Sequence, residues 1–213
     1  MKYIRTPFGD ISSFSLCAVI GILMLFFLVH AKLKTSSNNV KEEVYIFPKI
    51  VFSGVVGFIF AGIFDSLFKF HLYGEFKISG ITFYGGLIGS IVSFYVILRI
   101  TEQTTTYSVS EWFSILTPPF IVFHIFGRIG CFFGGCCYGK PTDSCFGIVF
   151  PNNEANNIFH NGVKCYPTQL FEVTVLIVIL LIILKQKNKF EYYLLLYSVS
   201  RFLIEFLRGD ERG

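Results

Sequence analysis

The sequence predicts an all-α fold: a polytopic membrane helical bundle with about six transmembrane helices and a small head between the fourth and fifth. Hydrophobic residues make up 53% of the 213 residues and charged residues only 15%, and the mean hydropathy is +0.62. A soluble domain carries about 25% charged residues. The decisive observation is that the apolar residues are gathered in runs long enough to cross a bilayer.

Six apolar segments approach the ~20 residues that a bilayer core requires. Basic residues precede the first, but no small-residue cleavage site follows it, so we expect a retained helix and not a removed signal peptide. We expect residues 1–213 to form a single transmembrane domain, with residues 134–167 inserted in it as the head. The segments are Ile11–Val29, Ile50–Phe70, Ile81–Ile100, Phe113–Phe133, Thr168–Leu184 and Phe190–Leu207.

The charged residues between these segments indicate the orientation only weakly. The net charge of +4 is spread over loops and helix ends, which favours a membrane surface as partner and not nucleic acid. An outside N-terminus would give inner and outer segments equal numbers of lysine and arginine. The lysines in segments 32–49 and 185–189 slightly favour that orientation.

Because successive spans alternate in direction, several polar groups are predicted to lie at one membrane face. Some of these have a plain structural interpretation: opposite charges four residues apart form local ion pairs, and a residue set at i, i+4 and i+7 forms a network on one helix face. The groups are Asp65 with Lys69, Tyr84 with Gly85 and Gly86, Arg128, Glu172, and Arg201 with Glu205 and Arg208.

Arg128 lies between Gly127 and Gly130 at the end of the fourth span. A charge at that depth is costly, which points to a function, and glycine lets backbone approach a ligand or another helix closely. The planar guanidinium suits a phosphate, and a low-dielectric setting strengthens the contact. Arg128 and Arg201, from different helices at one depth, therefore predict a site for a phospholipid headgroup.

Five blocks of sequence, in order, resemble the bacterial prolipoprotein diacylglyceryl transferases, and the resemblance covers nearly the whole chain. No single block is decisive, but their order and spacing are typical of that family. The blocks are Phe8-Gly9-Asp10-Ile11-Ser12, the segment 80–89, Gly127-Arg128-Ile129-Gly130 with Tyr138-Gly139-Lys140-Pro141-Thr142, the segment 166–172, and the segment 201–208.

The resemblance implies a transferase that moves diacylglycerol from phosphatidylglycerol to the lipobox cysteine thiol of a preprolipoprotein, with release of glycerol phosphate. It implies a multi-pass protein of the bacterial cytoplasmic membrane, with the active site toward the outer leaflet and residues 134–167 as an extracytoplasmic head. The implied partners are phosphatidylglycerol, the prolipoprotein and membrane lipid, and we expect no cofactor.

The resemblance also assigns roles to residues. Arg128 and Arg201 would hold the phosphate and stabilise charge on the leaving group, and Glu172 and Glu205 would orient them. A base would take the proton of the incoming thiol. The remaining substrate-binding positions would be Gly85, Gly86, Gly127, Gly130, Cys131, Tyr138 and Arg208.

The chain departs from the family pattern at several positions. Tyr84 replaces the motif histidine, and tyrosine, with a pKa near 10, is a poorer base at neutral pH. Cys131 replaces an asparagine, Cys136 or Cys137 an acidic residue, and segment 14–15 the tyrosine of the first helix. The family usually continues into a seventh helix, which we do not find before Gly213.

His124 precedes Arg128 by one helical turn and lies on the same face. One hypothesis is that it supplies the base that Tyr84 cannot, so that Arg128, Arg201, His124 and Tyr84 form the catalytic group. The alternative is a helix-packing histidine whose ring is satisfied by neighbours.

Of the six cysteines, Cys17 is expected in the core of the first helix. The other five allow three interpretations: disulfide bridges across the head, a metal site without a CxxC pair, or a reactive thiol. The pairings that involve Cys145, Cys165, Cys136 and Cys137 cannot be chosen from sequence.

Two further functions stay open beside the leading one. The first keeps the lipid donor but uses a glycan, a lipid or another peptide as acceptor. The second is a lipid-binding homologue without catalysis. A transporter is disfavoured because the polar residues collect at one face and do not run through the midplane.

Overall fold

A computed structural model describes residues 3–6, 9–37, 40–74, 82–150 and 163–209 of the chain. Ile81 of the predicted third span, Gly80 of the second family block, residues 151–162 of the predicted head, and Phe8 of the first family block lie outside these ranges. The helices are α1 (Ser13–Ser37), α2 (Val40–Tyr73), α3 (Phe83–Ile100), α4 (Val109–Gly134), α5 (Thr168–Ile183) and α6 (Lys189–Glu205), with a 3-10 turn at Glu102–Thr104. The strands are β1 (Tyr3–Thr6), β2 (Gly9–Ser12), β3 (Ile148–Val149) and β4 (Lys164–Cys165), paired antiparallel as β1–β2 and β3–β4.

The predicted all-α membrane fold class is confirmed, since the structure is 77% helical. Within the described ranges, three helices are long and apolar enough to cross a membrane: Ser13–Thr35, Lys41–His71 and Val109–Gly134. Helices α3, α5 and α6 have 18, 16 and 17 residues, which at 1.5 Å per residue gives ~24–27 Å against a core of ~30 Å. Six spans therefore remain a prediction, while six helices are observed in this part of the chain.

The polar connection expected between the first two spans is largely helical. Helix α1 continues to Ser37 and α2 already begins at Val40, with Pro48 inside it. Lysine and glutamate are good helix formers, and the carboxylate of Glu42 has partners: it accepts hydrogen bonds from the Thr105 and Thr106 hydroxyls at 2.6 and 2.8 Å. The predicted spans Ile11–Val29 and Ile50–Phe70 therefore stop short of the observed helix ends at Ser37 and Val40.

The chain divides into two compact units, residues 1–29 with 113–213 and residues 30–112. In the first unit, α1 and α4 pack antiparallel at glycines. A Cβ at Gly21 would lie 3.0 Å from Phe126 Cβ, and one at Gly130 would lie 3.2 Å from Cys17 Cβ. Residues of α4, α5 and α6 form a buried cluster, namely Ile121, Leu176, Ile179, Ile183 and Tyr193. This packing fixes the ends of α4, α5 and α6 relative to one another.

In the second unit, α2 and α3 pack through small residues. A Cβ at Gly85 would lie 2.9 Å from the Phe60 carbonyl oxygen, and one at Gly89 would lie 2.6 Å from Phe60 Cβ. Spacing of four residues between two glycines lets helix backbones approach closely in a membrane. Gly85 and Gly89 are thus accounted for by close contact with α2.

Candidate active site

The first unit brings Arg128 of α4 and Glu172 of α5 into direct contact. Arg128 Nε and Glu172 Oε2 lie 2.7 Å apart, and the Glu172 side chain is only 1% exposed. Glu172 lies in the second turn of α5. Thr168 and Gln169 of the first turn are buried and donate hydrogen bonds to the carbonyls of Cys137 and Cys136. A buried carboxylate needs a positive partner, and the guanidinium provides it.

A second arginine shares the same carboxylate. Arg208 Nη1 lies 3.5 Å from Glu172 Oε1, and both side chains are buried. Arg208 follows α6, in a segment that backbone contacts fix: Lys140 N donates to the Leu207 carbonyl at 2.8 Å and Gly209 N to the Tyr138 carbonyl at 3.4 Å. We refer to Arg128, Glu172 and Arg208 as the charge triad; by formal charge it carries one excess positive charge.

Arg201 has a different partner. Its Nη1 pairs with Glu205 Oε2 one turn later on α6, and the Arg201 side chain is 12% exposed against 48% for Glu205. The two acidic residues predicted to orient Arg128 and Arg201 do contact them, although the orienting role itself stays a prediction. The arginine that joins Arg128 at a common carboxylate is Arg208, whereas the sequence pattern singled out Arg201.

Tyr197 of α6 connects the charge triad to His124. Its hydroxyl accepts a hydrogen bond from Arg128 Nη2 at 3.3 Å and donates to Glu172 Oε2 at 3.4 Å. His124 Nε2 lies 3.5 Å from the same hydroxyl, and His124 Nδ1 lies 3.1 Å from the Tyr193 hydroxyl. His124 therefore reaches the triad through Tyr197, with both ring nitrogens facing tyrosines.

Sequence reasoning missed both tyrosines. They recur with Arg201 at a spacing of four residues on one face of α6, and this i, i+4 pattern was the available signal. An aromatic stripe on an apolar helix normally indicates core packing, and Tyr193 does pack in the buried cluster.

The remaining predicted residues of the first unit line the end of α4. The position of a Cβ at Gly127 is open space, so a ligand can approach the backbone there. At Gly130 that position is occupied by Phe14 and Cys17 of α1. The ring of Tyr138 lies 6.2 Å from that of Phe150. Cys131 is half-buried and follows Arg128 by nearly one turn.

Tyr84, Gly85 and Gly86 lie at the start of α3 in the second unit. The Tyr84 side chain is 60% exposed. Gly85 is closed in by Phe60 and Phe64 of α2, whereas a Cβ at Gly86 would meet only ordinary contacts at 3.4 Å and beyond.

All six cysteines lie within the described residues, and none of them is joined to another by a disulfide. The bridges considered across the head are therefore not formed. Outside the helices, the pKa of Cys137 lies below the usual thiol value because Cys131 and then Cys136 hydrogen-bond to it and Arg208 adds a donor and a positive charge. Burial raises the pKa of Cys165.

Comparison with known proteins decides the family. Residues 3–213, nearly the whole chain, match the family described as prolipoprotein diacylglyceryl transferase. The chain belongs to this family. The five blocks of sequence that resembled the family thus belong to one continuous match, and the charge triad lies within it.

Several relatives of this diacylglyceryl transferase family member carry the name phosphatidylglycerol–prolipoprotein diacylglyceryl transferase. One, numbered 2, from Clostridium perfringens (strain 13 / Type A) is 35% identical over 142 residues, 63% of this chain and 53% of that protein. One from Clostridium tetani (strain Massachusetts / E88) is 32% identical over 142 residues, 63% of this chain and 54% of that protein. One from Staphylococcus epidermidis is 31% identical over 205 residues, 89% of this chain and 71% of that protein. The match spans about half the length of the two clostridial proteins.

Proposed function

We propose that this family member is a membrane transferase that moves diacylglycerol from phosphatidylglycerol to the lipobox cysteine thiol of a preprolipoprotein. Glycerol phosphate is the leaving group. The names of the relatives support the donor and the class of acceptor. The observation in the structure that carries the proposal is the charge triad.

The triad favours an anion for an electrostatic reason. Two buried arginines face one buried carboxylate, and taking charge out of water costs free energy that a nearby anion offsets. A phosphate bound beside Arg128 and Arg208 removes the excess charge and accepts the hydrogen bonds that guanidinium groups offer. Arg201, already neutralised by Glu205, adds a third guanidinium that a headgroup can recruit.

The same groups suit the chemical step. The acceptor sulfur forms a bond to the terminal carbon of the diacylglycerol moiety, and the bond from that carbon to the phosphate oxygen breaks. The electron pair leaves with glycerol phosphate, and the thiol proton passes to a base or to solvent. Arg128, with Arg201 or Arg208, stabilises the charge that grows on the phosphate.

His124 is assigned a positioning role in this proposal. Its Nε2 contacts Tyr197, whose hydroxyl contacts both Arg128 and Glu172. His124 thus positions Tyr197, and Tyr197 in turn positions Arg128 and Glu172. Tyr84 stays a catalytic candidate from the sequence pattern. The candidates for substrate binding stay Gly85, Gly86, Gly127, Gly130, Cys131 and Tyr138.

The proposed location is the bacterial cytoplasmic membrane, with the active site toward the outer leaflet and residues 134–167 as an extracytoplasmic head. Support comes from span parity, which puts the ends of α4 and α6 and the start of α5 at one face, and from the lysine distribution. Cysteine accessibility at Cys145 to a membrane-impermeant maleimide in whole cells tests the side directly. Labelling only after cell lysis would place Cys145 on the cytoplasmic side and contradict the proposed orientation.

Purified protein with labelled phosphatidylglycerol and a lipobox peptide tests the activity. Transfer of label to the peptide cysteine is expected from the wild type and from Arg99→Ala, an exposed arginine of the second unit, and is expected to be lost in Arg128→Ala. Lipid consumption without peptide modification would favour a different acceptor. The replacement of the family's histidine by Tyr84 and of its asparagine by Cys131 motivates that alternative. Saturable lipid binding without turnover would indicate a non-catalytic homologue.

A further inference from the structure

The end of α4 brings two thiols together through its own cap. Gly135 has φ +68, its N–H donates to the Phe132 carbonyl at 3.2 Å, and Cys136 N–H donates to the Cys131 carbonyl at 3.1 Å. These two bonds and the left-handed glycine are the signature of a Schellman cap, which places the side chain at C″ over that at C3. Here those two side chains are Cys136 and Cys131.

The third thiol is held by a strained backbone. Cys137 has φ +63, and it is the one non-glycine residue with positive φ in the described ranges. Such a conformation persists only when its surroundings fix it. Thr168 Oγ1 donates to the Cys137 carbonyl at 2.7 Å, and Gln169 Nε2 donates to the Cys136 carbonyl at 2.6 Å. Two buried residues of α5 thus hold the turn.

The result is a three-thiol cluster, Cys131, Cys136 and Cys137, whose sulfur atoms all lie within 4.8 Å of one another. Zn–S bonds of about 2.3 Å at tetrahedral angles put sulfurs roughly 3.8 Å apart. Small side-chain rotations therefore suffice to place all three on one ion. Sulfur-only donors select soft or borderline metals such as zinc over magnesium or calcium.

We propose that Cys131, Cys136 and Cys137 form a zinc site of three thiolates whose fourth position is open to a thiol from outside the chain. Three protein ligands and one exchangeable position are typical of catalytic zinc sites, whereas structural sites are closed by four. Cys136 is exposed, so the ion and a fourth ligand can approach from solvent.

This inference rests on the proposed function for the identity of that fourth ligand. The cluster adjoins the charge triad, because the backbone around Arg208 pairs with residues 138–140, which directly follow Cys137. A thiol that coordinates zinc is deprotonated, so the acceptor cysteine would release its proton to solvent on binding. Its sulfur would then attack the glyceryl carbon while the phosphate held by the triad leaves.

Metal binding is tested on the purified full chain in detergent, kept reduced and loaded with zinc alone. One zinc per chain is expected, with the same result for Cys145→Ser, a matched exposed cysteine outside the cluster. Cys136→Ser, the substitution least able to disturb the fold, is expected to weaken zinc binding by more than about 100-fold, since even outer-shell partners change affinity by about 10–100-fold. No bound zinc in the wild type, or unchanged binding in Cys136→Ser, would overturn the proposal.

The open position is tested with cobalt in place of zinc. A lipobox peptide is expected to change the thiolate-to-cobalt absorption, and the same peptide with serine for cysteine is expected not to. An unchanged spectrum with both peptides would overturn the open fourth position. This readout needs no turnover. Transferase activity in zinc-free protein would support the proposed function and refute the use of the zinc site in it. Metal binding without any transfer would support the zinc site and refute the proposed function.

Discussion

Arg128 Nε and Glu172 Oε2 lie 2.7 Å apart and join the end of α4 to the start of α5. The contact is buried, and Arg208 reaches the other carboxylate oxygen. The carboxylate is therefore the common counter-charge of two guanidinium groups from distant parts of the chain.

Glu172→Gln is expected to destabilise the fold by about 3–5 kcal/mol, because it removes the negative charge that two buried arginines share. Denaturant unfolding in detergent measures the change. Glu205→Gln serves as the control: that side chain is 48% exposed, so the expected effect is within about 1 kcal/mol. Equal effects for the two variants would contradict the central role of Glu172.

Arg128→Lys keeps the charge but is expected to lower the transfer rate by roughly 10²–10³-fold. Lysine cannot contact Glu172 and Tyr197 with a planar fork at the same time, and loss of one positioned donor to a developing charge has an effect of that size. Initial rates with labelled phosphatidylglycerol provide the measurement, with Arg99→Lys as the matched substitution. A rate near that of the wild type would remove Arg128 from the mechanism.

Tyr197→Phe tests whether His124 acts through the tyrosine hydroxyl. Each single substitution, Tyr197→Phe and His124→Ala, is expected to slow transfer, and the double variant is expected to be little worse than the Tyr197→Phe variant. Residues in one hydrogen-bond network show such non-additivity. Independent, additive losses would instead favour His124 as a base in its own right, and full activity of His124→Ala would exclude any role.

Gly85→Ala and Gly86→Ala are expected to differ although the residues are neighbours. A Cβ at position 85 would lie 2.7 Å from Phe64 Cβ, an overlap that costs about 1–3 kcal/mol. At position 86 the nearest atom lies at 3.4 Å, so the better helix propensity of alanine offsets the contact. Thermal unfolding of both variants distinguishes packing from ligand approach: a stable Gly85→Ala protein that fails only in lipid binding would contradict helix packing.

Cys165 is expected to resist alkylation in the folded protein while Cys145 reacts. Cys165 is 0% exposed and burial raises its pKa, so near neutral pH it stays a protonated, shielded thiol and gains reactivity only as pH rises or the fold opens. Peptide mass mapping after brief treatment with iodoacetamide measures both sites. The same spectra without reductant detect any disulfide that joins them.

The sequence predicted correctly those features that depend on hydrophobic periodicity and on the length of apolar segments. Six helices and the site ends of α4, α5 and α6 followed from apolar runs, and the contacts of Arg128 with Glu172 and of Arg201 with Glu205 agree with residues named in advance. It was uninformative where a tertiary partner decides. Residues 40–49 lie before the predicted second span but are helical in the structure. Their polar composition does not reveal that Thr105 and Thr106 hydrogen-bond to Glu42.

The charge triad shows a second limit. In the sequence, helical spacing links Arg208 to Arg201 and Glu205. In the structure, however, Arg208 lies beyond the end of α6, and backbone pairing with residues 138–140 brings it to Glu172. Such pairing between distant segments leaves no periodic trace. Likewise, the Schellman cap that joins Cys131 to Cys136 depends on a left-handed Gly135, which a glycine-rich sequence permits at several positions.

The order of the triad along the chain has a consequence for biosynthesis. Arg128 and then Glu172 leave the ribosome first, and as a pair they are electrically neutral, which suits a helix entering the bilayer. The second guanidinium joins them only when Arg208, which follows both residues in the chain, docks against the segment around Gly139. We therefore expect the proposed phosphate site to be absent from the nascent chain and to form only once the segment after α6 has docked.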